Sequence, residues 1–268
     1  AIVTVLVVLI VGLALTFTVF FKVKSIDVYG ESRYSTQQVI KAANISLDSN
    51  LIRLDSELIS ARIEKALPYI AEAKIKKRLP TTVDIVVTEA QVAGYIEADN
   101  GSFLMSVDGK ILEEIKEPSN KLCKIHGIKV KEAKISEKIV TEGDELRYIN
   151  DIFSALGRGI SSEITSVDVS DKINLSVVYA DRVEIKFGSE AELSKKARFV
   201  RQILLNPEEV NQDDMGVIYA SNPKKISFLR KGSYKEYLFE LEKEQNTSSS
   251  LSITETESEF GTSSKKEN

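Results

Sequence analysis

The sequence predicts an α+β protein with an N-terminal transmembrane helix, a β-α-α-β-β domain, a mixed β-rich domain with two helices, and a disordered C-terminal tail. Three observations predict it: an uncharged apolar run at the start, alternating and helical apolar patterns in separate stretches, and a final stretch rich in Ser, Thr and Glu. A chain of 268 residues has room for about two domains. The predicted segments are residues 1–21, 23–91, 92–241 and 242–268, in that order.

The composition argues against nucleic-acid binding and against metal chemistry. The 36 basic and 40 acidic residues are interspersed and give a formal charge of −4, whereas phosphate binding needs a clustered basic face. Cys123 is the only cysteine in the sequence, which excludes an intramolecular disulfide and a four-cysteine zinc site. The adjacent pair Asp213 and Asp214 is interpreted as solvated loop charges rather than as an acid/base pair or a calcium loop.

The sequence carries no constellation that predicts catalysis. His126 is the only histidine, and no glycine-rich phosphate loop, G-x-S-x-G elbow or H-E-x-x-H motif accompanies it. We therefore expect no enzyme and no cofactor. The competing hypothesis, a membrane-anchored enzyme, requires a deep pocket that gathers His126 with a carboxylate and a hydroxyl.

Residues 1–21 are predicted to form a transmembrane helix. The run AIVTVLVVLIVGLALTFTVFF has no charge and would extend about 31 Å as an α-helix, enough to cross the hydrocarbon core of a bilayer. The apolar part of a signal peptide is typically about 7 to 15 residues long and ends in small residues, whereas this run ends in VFF. A retained anchor is therefore favoured. Lys22 and Lys24 on the flank weakly indicate a cytoplasmic side, but they also fit solvent-facing positions of the first strand.

Residues 23–91 are predicted to form a β-α-α-β-β unit with both helices on one face of a three-stranded sheet. The first strand ends at Gly30, and Ser35 with Gln38 forms a capping-box pattern for a short helix to about residue 44. Asp55 caps a second helix, which ends at Pro68, and two strands follow. The apolar positions assigned to strands and helices are Val23, Ile26, Val28, Leu58, Ile59, Ile63, Ala66, Leu67, Ala71, Ala73, Ile75, Leu79, Val83, Ile85 and Val87.

Four basic residues, Lys74, Lys76, Lys77 and Arg78, predict a basic strip on the outer face or edge of this sheet. Such a strip is most often a solvated face whose lysines discourage aggregation through the sheet edge. The alternative is a surface for anionic lipid or for an acidic partner next to the membrane.

The predicted second domain begins with a hairpin over residues 102–112, with Asp108 and Gly109 at its turn. The remaining pattern is typical of short strands interrupted by two helices. The predicted strands are about 122–128, 164–169, 173–179, 183–187, 217–221 and 226–229, and the predicted helices are about 145–156 and 193–205. From residue 242 the composition favours disorder, because few apolar side chains are present to offset the entropy lost on ordering.

Several of these motifs resemble a known family. The I-x-V-x-G strand at Ile26, Val28 and Gly30, the segment SNLIRLD, and RLPTTVDIVVTE running into Val92 and Ala93 resemble the POTRA domain of the FtsQ/DivIB cell-division proteins. The hairpin at Asp108 and the stretch VEIKFGSEAELSKKARFVRQIL resemble the β domain of the same family. Ala90 replaces an arginine common in the family, and Tyr219 replaces the aspartate of its Gly-x-Ile-Asp motif, so contacts of those two family residues are not carried over.

The resemblance implies a non-enzymatic scaffold in the cell membrane at the division septum. It implies a single-pass protein with a cytoplasmic N-terminus and the bulk of the chain outside. The implied partners are FtsL-like and FtsB/DivIC-like bitopic division proteins, and through them the septal peptidoglycan synthases FtsW and FtsI. The alternative is a membrane-anchored binding module of another envelope complex.

Partner binding is predicted to occur by β-strand addition at the last strands, by resemblance to where the family meets FtsB/DivIC. The aromatic segment YKEYLFEL that follows either packs on its own domain or forms an exposed apolar edge that binds a partner. The residues assigned to partner binding are Val217, Tyr219, Ile226, Phe228, Tyr234 and Tyr237.

Overall fold

The structure is a computed structural model that describes residues 2–4, 6, 9, 20–119 and 122–233. The predicted transmembrane helix lies mostly outside these residues, and the predicted tail, Tyr234 and Tyr237 lie outside them entirely. Across the described part of the chain, no helix combines the length and the apolarity needed to cross a membrane. The transmembrane helix therefore stays a prediction.

The chain forms two compact units, Ala1–Phe153 and Ser154–Asn268. Both units contain β-sheets together with helices, which confirms the α+β class. The domain boundaries inferred from the sequence stay predictions.

The first unit opens with the expected order of strand, helix, helix, strand, strand. The sheet order is β1-β3-β2, with β1 parallel to β3 and β2 antiparallel to it, so the last strand is central. This arrangement confirms the β-α-α-β-β order. The elements are β1 (Ser25–Tyr29), α1 (Thr36–Ala43), α2 (Ser56–Ala66), β2 (Ile70–Arg78) and β3 (Thr82–Glu89).

Local capping chemistry fixes both helix starts. The Ser35 hydroxyl accepts from the Gln38 N–H (3.3 Å), while the Gln38 side chain accepts from the Ser35 N–H (2.8 Å). Asp55 accepts from the Leu58 N–H (3.1 Å) at the start of α2. Leu58 and Ala66 lie in α2 as predicted but are exposed, whereas the assignment of Leu79 to a strand is wrong, because β2 ends at Arg78. The buried core of this domain comprises Val23, Val39, Ala43, Leu51, Ile59, Ile63, Ile70, Ala73, Val83, Ile85 and Val87.

Gly30 ends β1 at a point where no side chain fits. Its φ is +105°, in the left-handed half of conformational space that favours glycine. A Cβ built there would lie 2.0 Å from the Val87 carbonyl oxygen on β3. The glycine therefore allows the chain to leave β1 in direct contact with the central strand.

The basic residues of β2 do not form one continuous strip. Lys77 shares the inner face of β2 with Ala73 and Ile75, and its Nζ donates to the Ile52 (2.9 Å) and Leu54 (2.6 Å) carbonyls. Lys74 pairs with Glu72, and Arg78 pairs with Asp27 and Asp84. The charges are largely matched within the domain, which favours the interpretation as a solvated edge.

The first unit continues into four further strands, which pair in the order β7-β4-β5-β6. The Asp108-Gly109 turn joins β5 to β6 as predicted, with Gly109 at a φ of +83°. The strand expected over 122–128 is shorter, because Gly127, at a φ of +98°, ends it. The elements are β4 (Val92–Ala98), β5 (Gly101–Ser106), β6 (Ile111–Ile115), β7 (Lys124–His126) and α3 (Glu145–Leu156).

Lys110 joins the hairpin to the β-α-α-β-β domain. It is 4% exposed, and its Nζ donates to the Glu64 carbonyl in the last turn of α2 and to the Ile70 carbonyl at the start of β2, both at 2.7 Å. Burial lowers the pKa of Lys110 below its usual value. An apolar cluster of Tyr69, Ala90, Leu104 and Leu112 packs across the same junction.

The second unit contains five strands in the order β12-β11-β10-β9-β8. Its pairings are antiparallel except for β10 with β11, which are parallel and are connected through helix α5. The elements are α4 (Arg158–Ser161), β8 (Ile164–Asp168), β9 (Leu175–Tyr179), β10 (Val183–Gly188), α5 (Leu193–Leu204), β11 (Asp214–Tyr219) and β12 (Ser227–Ser233).

Lys196 on α5 is a second buried lysine. Its side chain is almost fully enclosed, and its Nζ donates to the Phe187 (3.1 Å) and Ser189 (2.8 Å) carbonyls on either side of Gly188. Burial lowers the pKa of Lys196. The lysine therefore satisfies the carbonyls at the end of β10 and holds α5 against that strand.

Candidate partner-binding edge

The strand β12, at one end of the strand order of the second unit, is the candidate binding edge. Within the described residues of this unit it pairs with β11 alone, over seven residues that extend about 23 Å. The outer side of such a strand presents backbone N–H and C=O groups that can pair with another chain. Of the two strands predicted to form the edge, β11 is interior, between β10 and β12.

The pairing register shows which side chains accompany this edge. Opposite residues of an antiparallel pair share a face, so Tyr219 with Ser227 and Val217 with Leu229 lie on one face, and Ile218 with Phe228 lies on the other. Tyr219 is 42% exposed and Leu229 is 53% exposed. Two large apolar side chains on neighbouring strands are therefore accessible on one face of the edge.

The predicted binding residues differ in their accessibility. Tyr219 is exposed, Ile226 and Phe228 are half-buried, and Val217 is buried on β11. Val217 is therefore enclosed by its own unit and offers no contact surface to a partner. Leu229 was missed, although the alternation of the predicted strand already places it two residues from Ser227 on the same face.

Gly216 allows β12 to pack closely on β11. A Cβ at this position would lie 2.2 Å from the Leu229 carbonyl oxygen and 2.7 Å from the Phe228 ring. Because Gly216 has no side chain, the Phe228 ring can pack directly against the β11 backbone. This packing explains why Phe228 is half-buried on an edge strand.

An ion pair clamps β12 to β11 near the end of the hairpin. Arg230 Nε lies 2.7 Å from Asp214 Oδ1 and its Nη2 lies 2.8 Å from Oδ2, a bidentate geometry. Asp214 Oδ2 also accepts from the Asn211 N–H (2.9 Å). Burial alone would raise the pKa of Asp214, but the Asn211 N–H and Arg230 outweigh it and lower that pKa. The interpretation of Asp214 as a solvated loop charge is therefore wrong.

We expect acid to loosen β12. Because the folded-state pKa of Asp214 is below its unfolded value, its contribution to stability is present above the unfolded pKa, about 3.9, and is lost as the pH falls through the lower folded value. Hydrogen exchange of the β12 amides, measured between neutral and acid pH, would show faster opening at acid pH. Asp214→Asn should give the loosened strand already at neutral pH and remove most of the pH dependence; an unchanged pH profile would contradict the clamp.

A groove lies beside the start of β12. It encloses about 290 Å³ between the C-terminal half of α5 and the loop that leads into β12. Phe199, which is 39% exposed on α5, was not predicted as a site residue, although an aromatic side chain among the charged residues of that helix is a detectable signal. The lining residues are Phe199, Gln202, Ile203, Asn206, Glu209, Pro223, Lys224 and Ile226.

His126 and Cys123, the residues considered for chemistry, are not among the residues that line this groove. His126 is exposed at the end of β7. Cys123 is buried, and burial raises the pKa of its thiol to about 12. In the stretches that the structure describes, no group of three or more His, Cys, Asp or Glu side chains is arranged to hold a metal ion.

Comparison with known families agrees with this architecture. A family model described as "POTRA domain, FtsQ-type" matches residues 21–90, and one described as "Cell division protein FtsQ/DivIB, C-terminal" matches residues 94–218. The class is therefore that of POTRA-bearing proteins with a second, β-rich domain. Because the two matches are consecutive and cover the POTRA domain and the β-rich domain in turn, the chain belongs to the FtsQ/DivIB family of cell division proteins.

Similar proteins carry the same description. The chain is 28% identical to the cell division protein DivIB of Clostridium tetani over 205 residues, which cover 75% of this chain and 77% of that protein. It is 26% identical to DivIB of Clostridium acetobutylicum over 206 residues, 76% and 82% of the two chains. It is 25% identical to the cell division protein FtsQ of Corynebacterium glutamicum over 202 residues, 75% and 87% of the two chains. These relatives support a role in cell division.

Proposed function

We propose that this chain is a non-enzymatic, single-pass scaffold of the division septum that binds FtsL-like and FtsB/DivIC-like partners. Through them it regulates septal peptidoglycan synthesis by FtsW and FtsI. The observation that carries the proposal is β12, an outermost strand that bears the exposed Leu229 and lies beside the exposed Tyr219 of β11. Membership of the cell-division family supplies the class of partner.

Strand addition is the binding mode that this edge favours. A partner strand laid along β12 would form backbone hydrogen bonds over much of its length, and its alternate side chains would fall on the two faces. On one face they would meet Tyr219 and Leu229. Near the start of β12, the groove beside Ile226 would take an apolar side chain of the partner. Backbone pairing supplies affinity, and these two sites supply specificity.

The charges around the edge favour an acidic partner segment. Lys224, Lys225 and Lys231 are exposed on β12 or on the loop before it. Carboxylates on the partner would speed association and disfavour basic competitors, although exposed pairs of this kind add little affinity each. We therefore expect a partner strand in which apolar and acidic residues alternate.

Membrane attachment through residues 1–21, with the N-terminus in the cytoplasm, is part of this proposal. It is supported by the length and apolarity of the run. It is also supported by the way the chain enters the first domain, because the Phe21 carbonyl accepts from the Leu51 N–H (2.7 Å) and the Phe21 ring packs on the core. No flexible linker separates residue 21 from the folded domain.

Capturing the full chain from membranes, together with the proteins bound to it, tests whether partners bind at the β12 edge. Tyr219→Asp and Leu229→Asp change exposed side chains, so the fold should melt as before while recovery of FtsL-like and FtsB/DivIC-like proteins falls at least tenfold, as expected for the loss of an interface hot spot of about 2 kcal/mol. Ile226→Lys should reduce recovery by filling the groove with a charge. The readout is quantitative mass spectrometry of the bound proteins.

Ile173→Asp is the matched control, because Ile173 is 60% exposed in the same unit but lies outside β11 and β12. Equal recovery with Tyr219→Asp, Leu229→Asp and Ile173→Asp would refute the edge assignment. Recovery of proteins from a different envelope complex would instead favour the alternative, a binding module of that complex.

A further inference from the structure

One end of the β-α-α-β-β domain carries a group of exposed apolar side chains. Phe20 is 66% exposed, Leu47 62%, Leu79 59% and Ile52 43%. They come from three segments that are distant in sequence: the residues just before β1, the loop between α1 and α2, and the turn between β2 and β3. Isolated exposed apolar residues are ordinary, but grouping at one end of a domain indicates a contact surface.

Backbone hydrogen bonds place these segments together where the chain enters the domain. They hold the loop between the helices, and the turn after β2, directly against residues 21–24. Lys22 also forms an isolated β-bridge with Asn50. The bonds run from Leu51 N–H to Phe21 O (2.7 Å), from Val23 N–H to Ser49 O (2.9 Å), from Asp48 N–H to Val23 O (2.9 Å) and from Lys24 N–H to Thr81 O (2.8 Å).

The strand directions place this surface at a single end of the domain. β1 starts there and runs away from it, β3 starts there in parallel, and β2 finishes there, since Arg78 pairs with Thr82. Tyr29, which is 48% exposed, lies at the opposite end of β1. The domain therefore offers an exposed apolar residue at each end of the same strand.

The local charge is positive. Lys24 and Arg53 are exposed and Lys22 is half-buried beside the apolar group. The exposed carboxylates within the same loop are those of Asp48 and Asp55, and Asp55 caps the start of α2. Lys77 adds a further positive charge behind the loop, where its Nζ is bonded to the Ile52 and Leu54 carbonyls. Apolar side chains framed by basic residues match the boundary between acyl chains and anionic headgroups.

We propose that this end of the domain, formed by Phe20, Leu47, Ile52 and Leu79 with Lys22, Lys24 and Arg53, binds the surface of an anionic phospholipid bilayer. The inference rests on the proposed membrane anchor. Because the backbone of residues 21–24 is bonded into the domain, an anchored chain holds this end at the headgroup level. A protein partner on this surface would have to fit between the domain and the bilayer. Because no flexible linker separates residue 21 from the domain, an anchored chain leaves little space for one there.

Single-cysteine probes on the full chain in lipid nanodiscs test the proposal. Leu79→Cys and Leu47→Cys report on the surface, and Tyr29→Cys is the matched control on the same domain. Native Cys123 is 7% exposed with a pKa raised to about 12, so it stays unlabelled at neutral pH. An environment-sensitive fluorophore at positions 79 and 47 should shift to the blue and resist iodide quenching in discs containing phosphatidylglycerol, whereas the probe at position 29 should remain fully quenched.

Charge variants separate electrostatic binding from simple proximity. Lys22→Gln, Lys24→Gln and Arg53→Gln should each lower the ratio of protected to quenched probe by about fivefold, with a smaller change in discs of pure phosphatidylcholine. Equal quenching at positions 79, 47 and 29 in a chain that elutes with the disc would overturn the lipid surface and leave the anchor standing. Failure to elute with the disc would overturn the anchor, and this inference with it. Protection that requires an added acidic protein would also overturn it.

Discussion

Gly30→Ala is expected to unfold the β-α-α-β-β domain at a temperature or urea concentration at which the unaltered chain remains folded. Two costs coincide at this residue: a φ of +105° that alanine adopts only with strain, and a Cβ position 2.0 Å from the Val87 carbonyl oxygen. The obstacle is backbone of the central strand, so no side chain can move aside. We expect a loss of about 3–5 kcal/mol in the free energy of unfolding.

Gly101 and Gly159 provide matched controls for this prediction. Gly101 has a φ of +140° but no atom nearer than 3.5 Å to its Cβ position, so Gly101→Ala isolates the strain and should cost about 1–2 kcal/mol. Gly159 has open space around it, and Gly159→Ala should be neutral or slightly stabilising. Urea denaturation of the three variants measures the differences. A Gly30→Ala chain no less stable than Gly101→Ala would show that β1 and β3 separate without cost.

Lys110→Met is expected to destabilise the first unit by about 2–3 kcal/mol. Methionine retains most of the buried stem, but it leaves the Glu64 and Ile70 carbonyls without the Nζ that now donates to both. Unpaired buried carbonyls cost more than the net value of the lost hydrogen bonds. Hydrogen exchange should also increase at the start of β2 and in the last turn of α2, in addition to the change in the denaturation midpoint.

Lys138→Met is the control for Lys110→Met. Lys138 Nζ pairs with Asp108 at 2.6 Å near the same hairpin, but its side chain is 61% exposed. Exposed ion pairs contribute at most about 1 kcal/mol, so this variant should change stability little. If both variants lost the same stability, the burial of Lys110 would not explain its effect.

The local elements of this fold could be predicted because their signals lie within a few residues. Ser35 with Gln38 and Asp55 specify helix starts through side-chain caps, and both caps form. The Asp108-Gly109 pair specifies a turn, and α3 has the predicted bounds of 145 and 156. In each case the partner groups are neighbours in sequence, so the chemistry does not depend on the rest of the fold.

The features that could not be predicted depend on distant segments. Lys110 is buried because its Nζ donates to backbone carbonyls that are 46 and 40 residues away in sequence. From the sequence alone, a single lysine in a hairpin is predicted to be exposed. Val217 is buried because α5 returns the chain to pair β11 with β10, so that β11 is interior and β12 lies outside it. The residues predicted to bind a partner stay a prediction, which includes the interior Val217 and omits the exposed Leu229 and Phe199.

The pairing of β1 with β3 has a mechanical consequence. Residues 21–24, which lead into β1, are hydrogen-bonded to the domain and form no flexible linker. The strands β1 and β3 run parallel over the five pairs from Ser25 with Thr82 to Tyr29 with Val86. A pull on the chain at residue 20 therefore acts along β1 and loads these pairs in shear, together rather than one after another. Tension between the N-terminal segment and the body of the protein would thus be resisted by the central strand of the sheet.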